Sequence, residues 1–134
     1  MGAWSHQPFG NDDALDWVDG LEGTKDLKPI EEALDRVLKT DGYLEAPEAS
    51  QAVAAIEVIA KLLGRGTQTD SYAKAADEWV KSVALKPTPA LLGKAQKALQ
   101  LVLGPESELR ELWQESDGSE WQSSINALQA AVGA

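Results

Sequence analysis

Cysteine is absent from the 134 residues, which excludes disulfides, thiolate nucleophiles and zinc sites built on sulfur. A single histidine, His6, leaves little room for imidazole chemistry. Cations are scarce: 12 Lys and Arg stand against 22 Asp and Glu, a formal net charge of −10. Phosphate backbones attract clustered cations, so direct nucleic-acid binding is not expected, and an anionic membrane surface is an equally poor match. Long apolar runs are missing as well. The longest, residues 52–63, is interrupted by Glu57 and Lys61, and it falls short of the roughly 20 residues that span a bilayer. The opening Met-Gly-Ala-Trp-Ser-His-Gln-Pro-Phe has neither the basic nor the apolar region of a secretory signal. Met1-Gly2 begins like a myristoylation signal, but His6 occupies the place of its Ser or Thr. A cytoplasmic protein is expected, although the lack of cysteine also suits a periplasmic one without its signal.

What remains is 43% hydrophobic and 25% charged, the balance of an ordinary soluble globular domain. The length allows one domain, residues 1–134. Apolar residues recur at helical spacing, and no segment alternates as a half-buried strand does. The expected fold class is all-α: a single compact domain of about six to seven short helices, preceded by a non-helical N-terminal segment. Asn11 is a good N-cap, with Asp12 and Asp13 opposing the helix dipole, and Ala14, Leu15, Val18 and Leu21 make an apolar face ending at Gly20–Gly23. A second helix starts between Asp26 and Pro29 and buries Ile30, Leu34, Val37 and Leu38 before Asp41-Gly42. The third starts at Pro47 with the stripe Ala49, Ala52, Val53, Ile56, Ile59, Ala60 and Leu63, and Gly64 closes it. A fourth, capped by Thr67 or Asp70, puts Tyr72, Ala76, Trp79, Val80 and Val83 on one side. Thr88-Pro89 starts a fifth, with Leu91, Leu92, Ala95, Leu99 and Val102 inside, and Gly104-Pro105 ends it. A short sixth carries Leu109, Leu112 and Trp113. Ser119 and Gln122 match a capping box for the last, whose inner face is Trp121, Ile125, Leu128 and Val132.

Residues 1–10 read differently. Trp4 and Phe9 stand beside Gly2, Pro8 and Gly10, so an extended segment is expected to lie across the body with both rings inserted. Truncating Trp4 to alanine is then expected to cost about 3–5 kcal/mol in thermal unfolding.

The opening Met-Gly-Ala-Trp…Phe9-Gly-Asn-Asp-Asp-Ala-Leu-Asp-Trp17 resembles the start of a small bacterial family catalogued as domain of unknown function 4259. Gly2, Ala3, Trp4, Phe9, Asn11, Asp12, Ala14, Asp16 and Trp17 match its pattern. Ser5 and Gln7 replace preferred glycines, and Gly10 a preferred acid. The later run Ser107-Glu-Leu-Arg-Glu-Leu-Trp113-Gln-Glu115 is similar to the family's C-terminal signature. The resemblance covers the length and helical layout of the chain and implies no activity.

Asp12, Asp16 and Asp19 recur at i, i+4 and i+7, so their carboxylates share one helical face. Such oxygens suit Mg²⁺ or Ca²⁺, and His6 would admit a transition metal, although a carboxylate set from one helix needs partners from elsewhere. The plainer reading is that Asp12 and Asp13 serve the dipole while Asp16 and Asp19 are solvated. No EF-hand loop, Gly-x-Ser-x-Gly elbow or complete phosphate-binding loop is present, and no bound cofactor is expected. Five tryptophans invite a binding-surface reading. Trp79, Trp113 and Trp121 fall on apolar stripes and read as core, whereas Trp4 and Trp17 flank the acidic helix and are candidates to border a pocket.

Acidity is unevenly spread. Residues 1–35 carry nine acids and two bases, net −7; residues 36–104 seven and nine, net +2; residues 105–134 six and one, net −5. Two acidic ends packed together would present a negative face that steers a basic partner. The favoured expectation is therefore a non-catalytic, regulatory or toxin-neutralising-like protein that binds a basic partner, with Trp4, His6, Phe9, Asn11, Asp12, Asp16 and Trp17 as candidate binding residues. The alternatives are a metal-binding protein or metal-dependent enzyme using Asp12, Asp16 and His6, and a homo-oligomer joined through the apolar third and fifth helices.

Overall fold

An alanine- and isoleucine-rich helix that is apolar all round can only sit inside a domain. The computed structural model, which describes residues 7–69, 71–115 and 118–133, is built on that helix. Seven α-helices follow in order: α1 (Asp12–Asp19), α2 (Lys28–Leu38), α3 (Ala46–Leu62), α4 (Lys74–Val83), α5 (Pro89–Val102), α6 (Glu108–Gln114) and α7 (Ser119–Gly133). A 3₁₀ turn, Ser71–Ala73, leads into α4, and the described residues form no β-strand. The chain is all-α, as its periodicity implies.

α3 is the axis, with α1, α2, α4, α5, α6 and α7 packed around it. Every residue from Ala52 to Ala60 is buried, far more than a single stripe. Ala52, Ala54, Ala55 and Ala60 keep its surface low, so neighbouring helices approach closely, while Ile56, Val58 and Ile59 fill the spaces between them. The apolarity that suggested an oligomeric interface on this helix is thus used within one chain.

The helix ends follow local chemistry. Asn11 Oδ1 accepts from Ala14 N at 2.8 Å and Thr88 Oγ1 accepts from Leu91 N at 3.1 Å, both side-chain N-caps. Gly64 closes α3 with φ +78°, its N–H bonding the Lys61 carbonyl while the Arg65 N–H bonds that of Ala60, the two bonds of a Schellman motif. Two expectations are corrected. Thr67 does not cap α4; its N–H and hydroxyl are turned to Glu57, and α4 opens after the 3₁₀ turn with Tyr72 exposed instead of on the inner stripe. Asp70 lies outside the described residues. α7 opens one residue earlier than a Ser119–Gln122 capping box requires, because the Gln122 N–H bonds the Gly118 carbonyl.

α4 ends on Ala84, which holds a left-handed conformation at φ 51°, ψ 37°. A side chain disfavours that region and glycine does not. Ala84→Gly is therefore expected to stabilise the fold by about 1 kcal/mol, read as a higher midpoint in thermal denaturation.

Two contacts tie distant segments. Lys94 on α5 reaches Glu31 at 3.3 Å and Asp35 at 2.9 Å on α2. Leu44 pairs with the strand-like turn before α6: its N–H bonds the Glu106 carbonyl at 2.7 Å and its carbonyl accepts from Glu108 N at 2.9 Å. Beside this pairing the exposed Tyr43 hydroxyl donates to Glu111 Oε1. That bond, with the charges of Glu111, Glu108 and Glu106, pushes the phenol up to about 12 from its ordinary 10.0. A tyrosinate absorbance step near 12 is expected, moving back toward 10.0 in Glu111→Gln. Because the folded value is the higher, the stabilisation from this bond is complete below pH 10.0 and fades as pH rises through about 12.

Candidate interaction site

A buried polar cluster sets where the surface elements lie. Glu57, in the middle of α3, is wholly buried. Its carboxylate accepts from Thr67 N at 2.7 Å, Thr67 Oγ1 at 2.6 Å and Gln68 N at 2.8 Å. Lys61, one turn on, lies 3.7 Å from Glu57, donates to the Gln68 carbonyl at 2.6 Å and pairs with Asp77 of α4 at 2.7 Å. The Gln68 side-chain oxygen in turn accepts from Phe9 N at 2.8 Å. One network thus fastens the loop after α3, the start of the chain body and α4. Burial is the strongest influence on the Glu57 carboxyl and raises its pKa, against the pull of its donors and Lys61. In sequence, Glu57 and Lys61 registered only as breaks in an apolar run. The missed signal was their i, i+4 spacing on an otherwise all-apolar helix, where charges must be paired.

The candidate binding residues separate into classes. Phe9 is completely buried in the core and Asn11 caps α1. Trp17 is half-buried and packs on the core, while Asp12 and Asp16 are exposed. Trp4 and His6, and with them the expected insertion of the Trp4 ring, lie outside the described residues. Trp79 and Trp121 are buried and Trp113 packs against the core, as their stripes imply. Asp12, Asp16 and Asp19 gather no further ligands: among the described residues no group of three or more His, Asp or Glu side chains is placed to hold a metal ion.

α1 nonetheless carries an unusual charge arrangement. Asp12 and Asp13 occupy its first turn, where the dipole favours them, but Asp16 and Asp19 lie toward its C-terminal end, and no basic residue occupies the last turn. Carboxylates there oppose the dipole, by about 0.3–1 kcal/mol each in exposed settings. Among the described residues none of these four is ion-paired.

At that same end a groove of about 530 Å³ opens between α1, the following loop and α4. Val18, Ala75, Trp79 and Val83 give it apolar lining, and Asp19, Glu22, Glu78 and Lys25 line it as well. Its wall is fixed, because Trp79 Nε1 donates to the Thr24 carbonyl at 3.1 Å and Thr24 in turn bonds back to Leu21. α1 contributes Val18 and Asp19 to the groove, and not the Asp12, Asp16 and Trp17 that the sequence singled out.

A family model described as Domain of unknown function (DUF4259) matches residues 2–124. The chain belongs to this family. No curated protein and no solved structure matches it. Within the matched span Gln7, Pro8 and Asn11 share a crevice of about 10 Å³ with Leu109, Trp113 and Trp121. A space that small holds a single water at most, so these two parts of the chain form a packed joint at this point. The acidic groove lies at the other end of α1 from Asn11.

Proposed function

We propose that this chain acts by binding a basic protein, as a regulatory or neutralising subunit does, and not by catalysis. The observation that carries the reading is the placement of Asp16 and Asp19: without an ion pair among the described residues, at the helix end that disfavours them, and with Asp19 lining a partly apolar groove. Selection for stability alone would place lysine there. Charges kept against local stability are explained by a partner that neutralises them, and a negative face of this kind accelerates association with a cationic surface. A bacterial cytoplasm is the compartment proposed for it; no helix among the described residues is long and apolar enough to cross a membrane.

The test uses a short fluorescent arginine-rich peptide and its oligoglutamate counterpart, followed by anisotropy at low and high salt. Binding of the cationic peptide alone is expected, weakening as salt rises. Reversal of Asp16 and Asp19 to lysine, which suits the dipole at that end of α1, is expected to slow association about tenfold without loss of helicity. Absence of binding, or binding indifferent to both salt and reversal, overturns the reading.

A further inference from the structure

We infer that the groove between α1 and α4 is a socket for an arginine side chain presented by the basic partner. The inference rests on the proposed basic-protein reading and names the contact within it. Val18, Ala75, Trp79 and Val83 give the groove apolar lining, and three separate segments bring carboxylates to it, Asp19 from α1, Glu22 from the loop after it and Glu78 from α4. A long cationic side chain matches this arrangement, its methylenes covering the apolar lining and its head reaching the carboxylates. Acceptors contributed by separate segments call for a donor with several N–H groups in different directions. Guanidinium has five in one plane, whereas ammonium is a compact point charge. Lys25 also lines the groove, but three acids against one base leave it net negative, and among the described residues Lys25 makes no ion pair with them. The Trp79–Thr24 bond holds this lining in place before any partner arrives, which spares the ordering that a flexible site would need.

Kinetics separate this socket from general acidity, because steering acts on association and a seated contact acts on dissociation. Binding of the arginine-rich peptide would be followed by surface plasmon resonance on the wild type, on Glu22→Lys/Glu78→Lys and on Asp12→Lys/Asp16→Lys, each checked for native circular dichroism. Dissociation is expected to quicken about tenfold in the groove variant and to stay near wild type in the α1 variant. If both variants merely slow association, the socket is overturned while basic-partner binding stands. If the wild type binds no arginine peptide, both fall. A lysine peptide retained as long as the arginine one overturns the assignment of arginine.

Discussion

Glu57→Ala is expected to destabilise the fold by about 3–5 kcal/mol, the cost of removing one member of a buried charged network. The loss has several parts. Thr67 N, Thr67 Oγ1 and Gln68 N would lose their acceptor, and the carboxylate would leave a void against the axis helix. Lys61 would keep Asp77 and the Gln68 carbonyl, so it would not be stranded. Glu57→Gln is expected to lose less, about 1–3 kcal/mol, because the amide retains one acceptor oxygen but turns an N–H₂ toward donors. Urea denaturation measures both, and hydrogen exchange should show the Thr67 and Gln68 amides losing protection. A loss below about 1 kcal/mol in Glu57→Ala would contradict a structural role for the network.

Phe9→Ala is expected to cost a similar amount, about 3–5 kcal/mol, as for other fully buried aromatic rings. Phe9 is completely buried, and its backbone N–H is held by Gln68, so the ring and the loop anchor each other across the chain. Gln68→Ala should therefore couple to Phe9→Ala in a double-mutant cycle by at least about 0.5 kcal/mol, whereas distant sites add independently. An unchanged melting temperature in Phe9→Ala would mean that the start of the chain does not pack on the body.

Much of the fold is legible in sequence because its signals are local. Thr88-Pro89 starts α5 through a cap and an N1 proline, and Gly64 stops α3 by adopting a positive φ. Where the determining contact is distant, the local signal misleads. Thr67 looks like an N-cap, yet its hydroxyl donates to the buried carboxyl of Glu57 ten residues earlier, since a buried acceptor cut off from solvent needs protein donors. Ser119 looks like the head of a capping box, yet Gly118 takes the first helical bond.

The candidate site was legible only in part. The acidic run of α1 is plain in sequence, but Asp12, Asp16 and Trp17 drew attention and Asp19 is the member that reaches a groove. Glu78 and Trp79, which also line it, come from α4, about 60 residues later, and no spacing rule joins them to Asp19 and Glu22. Trp79 reads correctly as core, and the same indole lines the groove, so its two roles share one apolar stripe.

The account stands most directly on whether a cationic peptide occupies that groove in the unaltered protein. Trp79 Nε1–H, bonded to Thr24 at the groove wall, reports on it by heteronuclear NMR, with its indole resonance assigned from Trp79→Phe. Titration with the arginine-rich peptide at low salt is predicted to move the Trp79 indole resonance saturably, and raised salt to reverse the shift. A peptide that binds while leaving the Trp79 indole unmoved, or one that does not bind at all, would contradict it.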